Sequence, residues 1–382
     1  MTGEGPSGLS WAGAPLELWG VRAASAAMTD GWTESLIDHL DAYARYGVNA
    51  VTVGYQGSSG GSRQTYARDG SAIDDGVQRR MERIIEAAAK REMFVVVHAL
   101  FRGQRGRFDP ENGSWLADGQ SYLRALELVG RRLAGFDNVL VNVCGEHNTG
   151  WQACPYPVGT VEGIVELCRA VKRGDPNRLV GGGGVHPGHN VTFATHPETD
   201  VLFFDLGGPS AGAVAAYRAA GSVKPLLNVE LFGGRAEGFV EESAEGGGTG
   251  IGRPAGIDVS WPGWDTSGEP VPAGRRRIQG VFPESAEGSE GGRHRSKADF
   301  LADAAFAAAT PGFSLFGHFP AWFQGPSRDP SFDCRFDLGG AGTRTEPGIR
   351  WYFEAVARAR HLPVPAAGAA AEAEAAAGGA AR

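Results

Sequence analysis

The chain has 382 residues and a formal net charge of −8, and its two dense basic runs, Arg275-Arg276-Arg277 and Arg293-His294-Arg295, lie in Gly- and Glu-rich sequence, so no basic stripe is expected to hold a phosphate backbone and nucleic acid is excluded as a partner. No apolar run approaches a membrane span, and four cysteines without CxxC spacing, Cys144, Cys154, Cys168 and Cys334, make no disulfide framework. The 59 glycines gather in loop-like runs and at the C-terminal end, which marks loops and not a fibrous repeat.

Short apolar runs alternate with helix-period segments along the chain. The first run is 16–21 (LELWGV); Thr29 or Asp30 then offers an N-cap, and Trp32, Leu36, Leu40 and Tyr43 recur at helical spacing. The second run, 49–53 (NAVTV), is followed by a helix marked by Val77, Met81, Ile84, Ile85 and Ala88. The third, 93–100 (MFVVVHAL), leads to a helix with Tyr122, Leu126, Val129 and Leu133, and the fourth, 138–144 (NVLVNVC), to one with Val161, Ile164, Val165, Cys168 and Val171. The fifth, 178–180 (RLV), runs into the glycines 181–184, and the segment from there to Asp200 shows no convincing helix. The sixth is 201–206 (VLFFDL), with an Ala-rich helix after it at 211–220; the seventh is 225–231 (PLLNVEL); the eighth is 313–319 (FSLFGHF), with a last helix near 349–358.

Eight strands with seven or eight helices predict an α/β chain of the (β/α)₈ class, the TIM barrel, over residues 9–362 as a single catalytic domain. An open doubly wound sheet is the parallel-strand alternative, but neither a GxGxxG nor a P-loop follows the first strand. Residues 233–297 form a Gly/Glu/Pro-rich insertion after the seventh strand, carrying Trp261 and Trp264, and in a barrel this insertion belongs on the active-site face. Residues 363–382, rich in Ala, Gly and Glu, are expected to be a disordered tail. The opening MTGEGPSGLSWAGAP has neither a basic n-region nor an apolar h-region, so a cytoplasmic location is expected. The oligomeric state is open.

Barrel enzymes draw catalytic groups from the C-terminal ends of strands. Here those ends supply Arg22, Tyr55, His98, Glu146 followed by His147 and Asn148, Glu230, and His318 followed by Trp322; Trp151 lies close beyond Glu146. If regular β-structure persists, strand alternation carries Asn142, Cys144 and Glu146 to one face, and Leu226, Asn228 and Glu230 likewise. Two glutamates delivered inward at a barrel mouth suit glycoside hydrolysis, where retaining enzymes set two carboxyls about 5–5.5 Å apart, one as nucleophile and one as acid/base. No HxH ends the first strand and no HExxH occurs, so His147, His186, His189 and His318 are not read as metal ligands. The glycines 181–184 lack the Lys-Ser/Thr of a P-loop and read as a tight turn.

Residues 138–148 (NVLVNVCGEHN) resemble the acid/base strand of the large clan of retaining (β/α)₈ glycoside hydrolases that includes cellulase-like, mannanase-like and β-glucanase-like families. Residues 224–233 (KPLLNVELFG) resemble its nucleophile strand, 11–22 (WAGAPLELWGVR) its approach to the first strand, and 316–324 (FGHFPAWFQ) its eighth. The resemblance implies Glu146 as acid/base, Glu230 as nucleophile, Trp322 as a sugar-stacking aromatic, His98 as a substrate contact, a carbohydrate substrate and no cofactor. It departs at three points. Gly145 stands where the clan has the Asn that binds the sugar 2-hydroxyl, with Asn148 as a candidate replacement; Thr52 stands where cellulase-like members have an Arg; and 203–208 (FFDLGG) lacks their His-x-Tyr. These departures motivate an alternative, a carbohydrate-binding barrel that has lost its activity; a metal-dependent barrel enzyme is a separate third reading, which predicts bound zinc or manganese.

Overall fold

The computed structural model describes residues 8–58, 64–101, 116–147, 154–185, 187–206, 210–231, 237–241, 275–279, 284, 296–323, 334, 336–343 and 345–365. Eight parallel strands close into a barrel: β3 (Trp19–Arg22), β4 (Ala50–Gly54), β5 (Phe94–Leu100), β6 (Val139–Cys144), β7 (Val180–Gly182), β8 (Val201–Phe204), β9 (Leu226–Leu231) and β12 (Phe313–Gly317), with β12 pairing back onto β3. The helices that alternate with them are α1 (Asp30–Arg45), α2 (Asp75–Ala89), α3 (Gly119–Leu133), α4 (Val161–Gly174), α5 (Pro187–Thr195), α6 (Ser210–Ala219) and α7 (Lys297–Ala308); the four-residue α8 (Pro320–Phe323) and α9 (Arg350–Ala359) follow the last strand. The predicted (β/α)₈ barrel is the fold of the chain.

The helices start where side chains satisfy their first N–H groups. Thr29 accepts from Trp32, Asp74 from Val77, Asp118 from Ser121 and Thr160 from Gly163, and Ser296 and Asp299 form a reciprocal capping box. Two apolar layers result. Leu18, Ala50, Phe94, Val96, Leu140, Val201, Phe203, Leu227, Val229 and Phe316 fill the barrel lumen, and a larger set packs strands against helices. Below the lumen, β1 (Leu9–Trp11) and β2 (Ala14–Leu16) form an antiparallel hairpin whose turn residues, Ala12 and Gly13, both have positive φ. Trp11 sets its ring edge against Phe94 at 5.3 Å. The predicted first strand, 16–21, is thus split: Leu16 belongs to the hairpin and the barrel strand starts at Trp19.

The fifth unit differs from its prediction. A nine-residue helix, α5, does follow β7, and Asn190 ties it to the strand end by accepting from the Gly184 N–H and donating to the Gly184 carbonyl. Gly181 and Gly182 extend the strand instead of making a turn. A Cβ on Gly181 would lie 1.9 Å from the Val201 carbonyl oxygen, and one on Gly183 would lie 1.3 Å from that of Phe203, so the glycines serve the close approach of β7 to β8. Of the insertion, β10 (Glu237–Glu241) and β11 (Arg275–Gln279) pair antiparallel, and α7 supplies the helix before the last strand. The expected tail from 366 onward lies outside the described residues. Among the described residues no helix is long and apolar enough to cross a membrane, and all four cysteines are unbridged.

Candidate active site

The lumen-facing register changes character toward the C-terminal ends. Below are Val, Leu and Phe; above them come Arg22 on β3, His98 on β5, Asn142 on β6, Asp205 just past β8, Glu230 on β9 and His318 just past β12. Arg22, His98, Asp205 and His318 are all at most 3% exposed, and the Glu230 side chain is 13% exposed. A buried, mutually facing set of charges is expensive unless its members answer one another.

Glu230 is the centre of that set. Its Oε1 lies 3.3 Å from Arg22 Nη1 and 2.8 Å from His318 Nδ1. The Arg22 contacts are ion-pair contacts rather than aligned hydrogen bonds, since its Nη1 and Nε reach no acceptor in hydrogen-bond geometry. Glu230 does not arrive at the mouth by the expected alternation. Leu227 and Val229 fill the lumen, whereas Leu226 and Leu231 face the helices. Asn228 also faces outward, donating to the Leu206 carbonyl and to Ser210 Oγ on α6. The pairing with β12 then slips: Leu315 opposes Asn228, but Gly317 opposes Leu231, so β9 carries one extra residue there. This bulge turns Glu230 inward, and its N–H donates to Asn228 Oδ1 at 3.2 Å. The expectation that Leu226, Asn228 and Glu230 share the inner face is corrected accordingly.

Glu146 also sits on irregular backbone. β6 ends at Cys144, and Glu146 is a half-buried turn residue at φ +45°, so alternation along the strand does not place it. Left-handed φ on a non-glycine residue is uncommon and clusters at functional sites. The Glu146 N–H donates to Asp205 Oδ2 at 2.8 Å, while Asp205 Oδ1 lies 3.9 Å from Arg22 Nη1. Burial, with the Glu230 charge next, pushes the Asp205 carboxyl well above the usual range, against the opposing pull of Arg22.

His98 faces Asn142, whose Nδ2 lies 3.2 Å from His98 Nε2. Asn142 Oδ1 accepts from the Cys144 N–H, which leaves its amide NH₂ for the ring, so Nε2 is the acceptor and Nδ1 carries the proton. Burial, then the Arg22 charge, holds His98 well below its ordinary value, consistent with that neutral form.

Other expected site residues lie elsewhere. Tyr55 is fully buried on the helix side, donating from its hydroxyl to Gln78 Oε1 on α2 at 3.0 Å, because the inner face of β4 is taken by Ala50, Thr52 and Gly54; it does not reach the cleft. His147 is likewise buried in the outer layer, stacked on His189 at 5.3 Å and edge-on to Phe193 of α5. Trp322 is 3% exposed and donates from Nε1 to the Asp337 carbonyl, a buried ring and not an open stacking face. Asn148, Trp151, His186, Trp261 and Trp264 lie outside the described residues. Asp205, Asn142 and Asn228 were not among the expected site residues; for Asp205 the signal was present, since Val201, Phe203 and Asp205 alternate onto the lumen face. Thr52, which stands where cellulase-like members have an Arg, is the direct register partner of Arg22 on the neighbouring strand. Among the described residues no three His, Cys, Asp or Glu side chains gather as a metal site.

No protein-family model matches the chain. No curated protein matches it either. Solved structures do. A glycoside hydrolase family 5 structure from Bacteroides vulgatus shares 13% identity at a TM-score of 0.55, over 87% of this chain and 64% of that one. An endo-1,4-β-mannanase from Rhizomucor miehei shares 12% at 0.50, over 82% and 89%. A further glycoside hydrolase shares 11% at 0.52, over 90% and 99%. The chain spans 64% and 56% of the length of two Bacteroides vulgatus structures. At this level of identity the likeness is one of fold: the chain has the (β/α)₈ barrel that these glycoside hydrolases have.

Proposed function

We propose that the chain is a retaining glycoside hydrolase acting on an oligo- or polysaccharide, with Glu230 as nucleophile and Glu146 as acid/base. The observation that carries this reading is the bulge that turns Glu230 out of strand alternation and onto Arg22 and His318 at the barrel mouth. A carboxylate displayed against a guanidinium at a strand end has no packing purpose that an aliphatic residue would not serve better. In the first step Glu230 attacks the anomeric carbon, the glycosidic C–O bond breaks, and the Glu146 proton passes to the leaving oxygen. In the second, water attacks the glycosyl–Glu230 ester while Glu146 takes up its proton, and both carboxyls return to their starting states.

The test uses a panel of 2,4-dinitrophenyl glycosides of glucose, mannose, galactose and xylose, with their 2-deoxy-2-fluoro counterparts as traps. A glycosyl adduct on the peptide holding Glu230, and a loss of roughly 10⁴-fold or more in Glu230→Ala, are expected. Undiminished hydrolysis by Glu230→Ala overturns the assignment. A second reading rests on the left-handed turn at Glu146 and on Gly145 before it: a carbohydrate-binding barrel without turnover. Calorimetric binding of a sugar with no hydrolysis across the panel selects that reading.

A further inference from the structure

Two carboxyl groups, Asp205 and Glu230, approach one guanidinium, that of Arg22, and Asp205, which also accepts the Glu146 N–H, is the acid that the two-glutamate reaction does not use. It is also the deepest, with its side chain 1% exposed. Its two oxygens face different parts of the site. Oδ2 accepts the Glu146 N–H at 2.8 Å, and Oδ1 looks toward Arg22 at 3.9 Å, the same Nη1 that lies 3.3 Å from Glu230. The link to Glu146 falls on a residue whose backbone is strained. An L-residue at φ +45° stays there only where its surroundings over-determine it, and a hydrogen bond on its own N–H is such a constraint.

We propose that Asp205 is a positioning residue that fixes the left-handed turn of Glu146, and with it the direction in which the Glu146 carboxyl meets the glycosidic oxygen; the proposal rests on Glu146 being the acid/base. The nearer carboxylate, Glu230, takes the larger share of the guanidinium. Burial and the neighbouring Glu230 and Glu146 push the Asp205 carboxyl well above the usual carboxylate range, against the pull of Arg22. A neutral acid still accepts through its carbonyl oxygen, so the role needs an acceptor at that point and not a charge. Asn offers that acceptor with nearly the same shape, and Ala does not.

The chemistry supplies a readout that general loosening of the fold would not move. A dinitrophenolate leaves without protonation, whereas an alkoxide needs the acid. Asp205→Ala is expected to lower kcat on the methyl glycoside of the sugar preferred in the panel by about 10²–10³-fold, within the roughly 10²–10⁴-fold range of general acid catalysis. On the matching dinitrophenyl glycoside it changes the first, glycosyl-transfer step by less than tenfold, and Asp205→Asn restores most of the methyl glycoside rate. In parallel, hydrogen exchange at the Glu146 amide is expected to accelerate in Asp205→Ala and to return toward wild type in Asp205→Asn. Equal losses on both glycosides, or unchanged exchange at Glu146, overturn the positioning role. If the wild-type protein hydrolyses nothing in the panel, the glycosidase reading fails, while Glu146 exchange still decides whether Asp205 holds the turn. Should Asp205→Ala not fold, Asp205→Ser, too short to reach the Glu146 N–H, replaces it with the same expectations.

Discussion

Arg22 and Glu230 meet at 3.3 Å although their strands, β3 and β9, are not neighbours; β12 stands between them. The contact spans the rim of the barrel, and it exists because β9 gains a residue between Asn228 and Leu231. Arg22 is 2% exposed and is the cation that faces both Glu230 and Asp205. Removing one partner of a buried ion pair leaves the other's charge uncompensated, at a cost of about 3–5 kcal/mol. Arg22→Met, which keeps the stem's volume, is therefore expected to lower unfolding free energy by about 3 kcal/mol in urea titration near pH 7. A loss under about 1 kcal/mol, the size of an exposed pair, would show that solvent screens the contact.

His98 makes stability depend on pH with a definite sign. Its ring is buried, it accepts from Asn142 through Nε2, and burial, Arg22 and His318 disfavour its charged form while Glu230 favours it. The folded value lies well below 6.5, so the unfolded chain binds the extra proton first as pH falls. The stabilisation is complete above about pH 6.5 and is lost progressively below it, toward the folded value. One proton sets a slope of at most about 1.4 kcal/mol per pH unit. Urea titrations from pH 7.5 to pH 5 are expected to show this slope in wild type and a shallower one in His98→Gln. Parallel curves for the two proteins would remove His98 as its source.

The fold was legible because period-2 and period-3.6 patterns survive in most units. All eight strands fall within a few residues of their expected places. The units that were missed lack the pattern: α5 is held by Asn190 on Gly184, and α7 is Ala-rich with little amphipathic contrast to read. At the site, alternation alone predicts which side chains enter the lumen, and it works where the strand is regular, as for His98, Asn142 and Asp205. It fails at Glu230, because a bulge is invisible in sequence, and at Glu146, where β6 has already ended. The two residues assigned the chemistry are thus those for which strand alternation gives no valid direction; their place at strand ends, together with motif order, picked them out.

Tyr55 shows the opposite case, a strand-end residue whose polar group is spent on structure. Its hydroxyl donates to Gln78 Oε1, and Gln78 in turn donates to Glu82, so the chain of bonds runs along α2 and away from the mouth. Tyr55→Phe leaves the Gln78 oxygen without that donor in a buried place, a cost of about 1–3 kcal/mol. Lower stability of that size, read by urea titration, together with kcat and KM on the preferred dinitrophenyl glycoside within twofold of wild type, is the expected result. A raised KM would return Tyr55 to the substrate site.

Gly145 offers a test of how far the site departs from the enzymes it resembles. A Cβ there would meet His98 Nδ1 at 3.4 Å and Cε1 at 3.5 Å, ordinary van der Waals contact, and Gly145 is not among the residues at positive φ. Asn is therefore admissible at this position, and His98 Nδ1, the protonated nitrogen, stands beside it as a donor to its carbonyl. Gly145→Asn is expected to fold with a stability change within about 1 kcal/mol. If the new amide reaches the sugar, it adds a hydrogen bond to the 2-hydroxyl, of the kind that strengthens in the transition state. The sensitive measurement is the ratio of kcat/KM for a glycoside to that for its 2-deoxy analogue, compared between variant and wild type. A rise of about tenfold, equivalent to about 1.4 kcal/mol, would place the 145 side chain against the sugar ring between Glu146 and His98. An unchanged ratio would mean that Glu146, carried on its left-handed turn, meets the substrate from a direction that position 145 does not share.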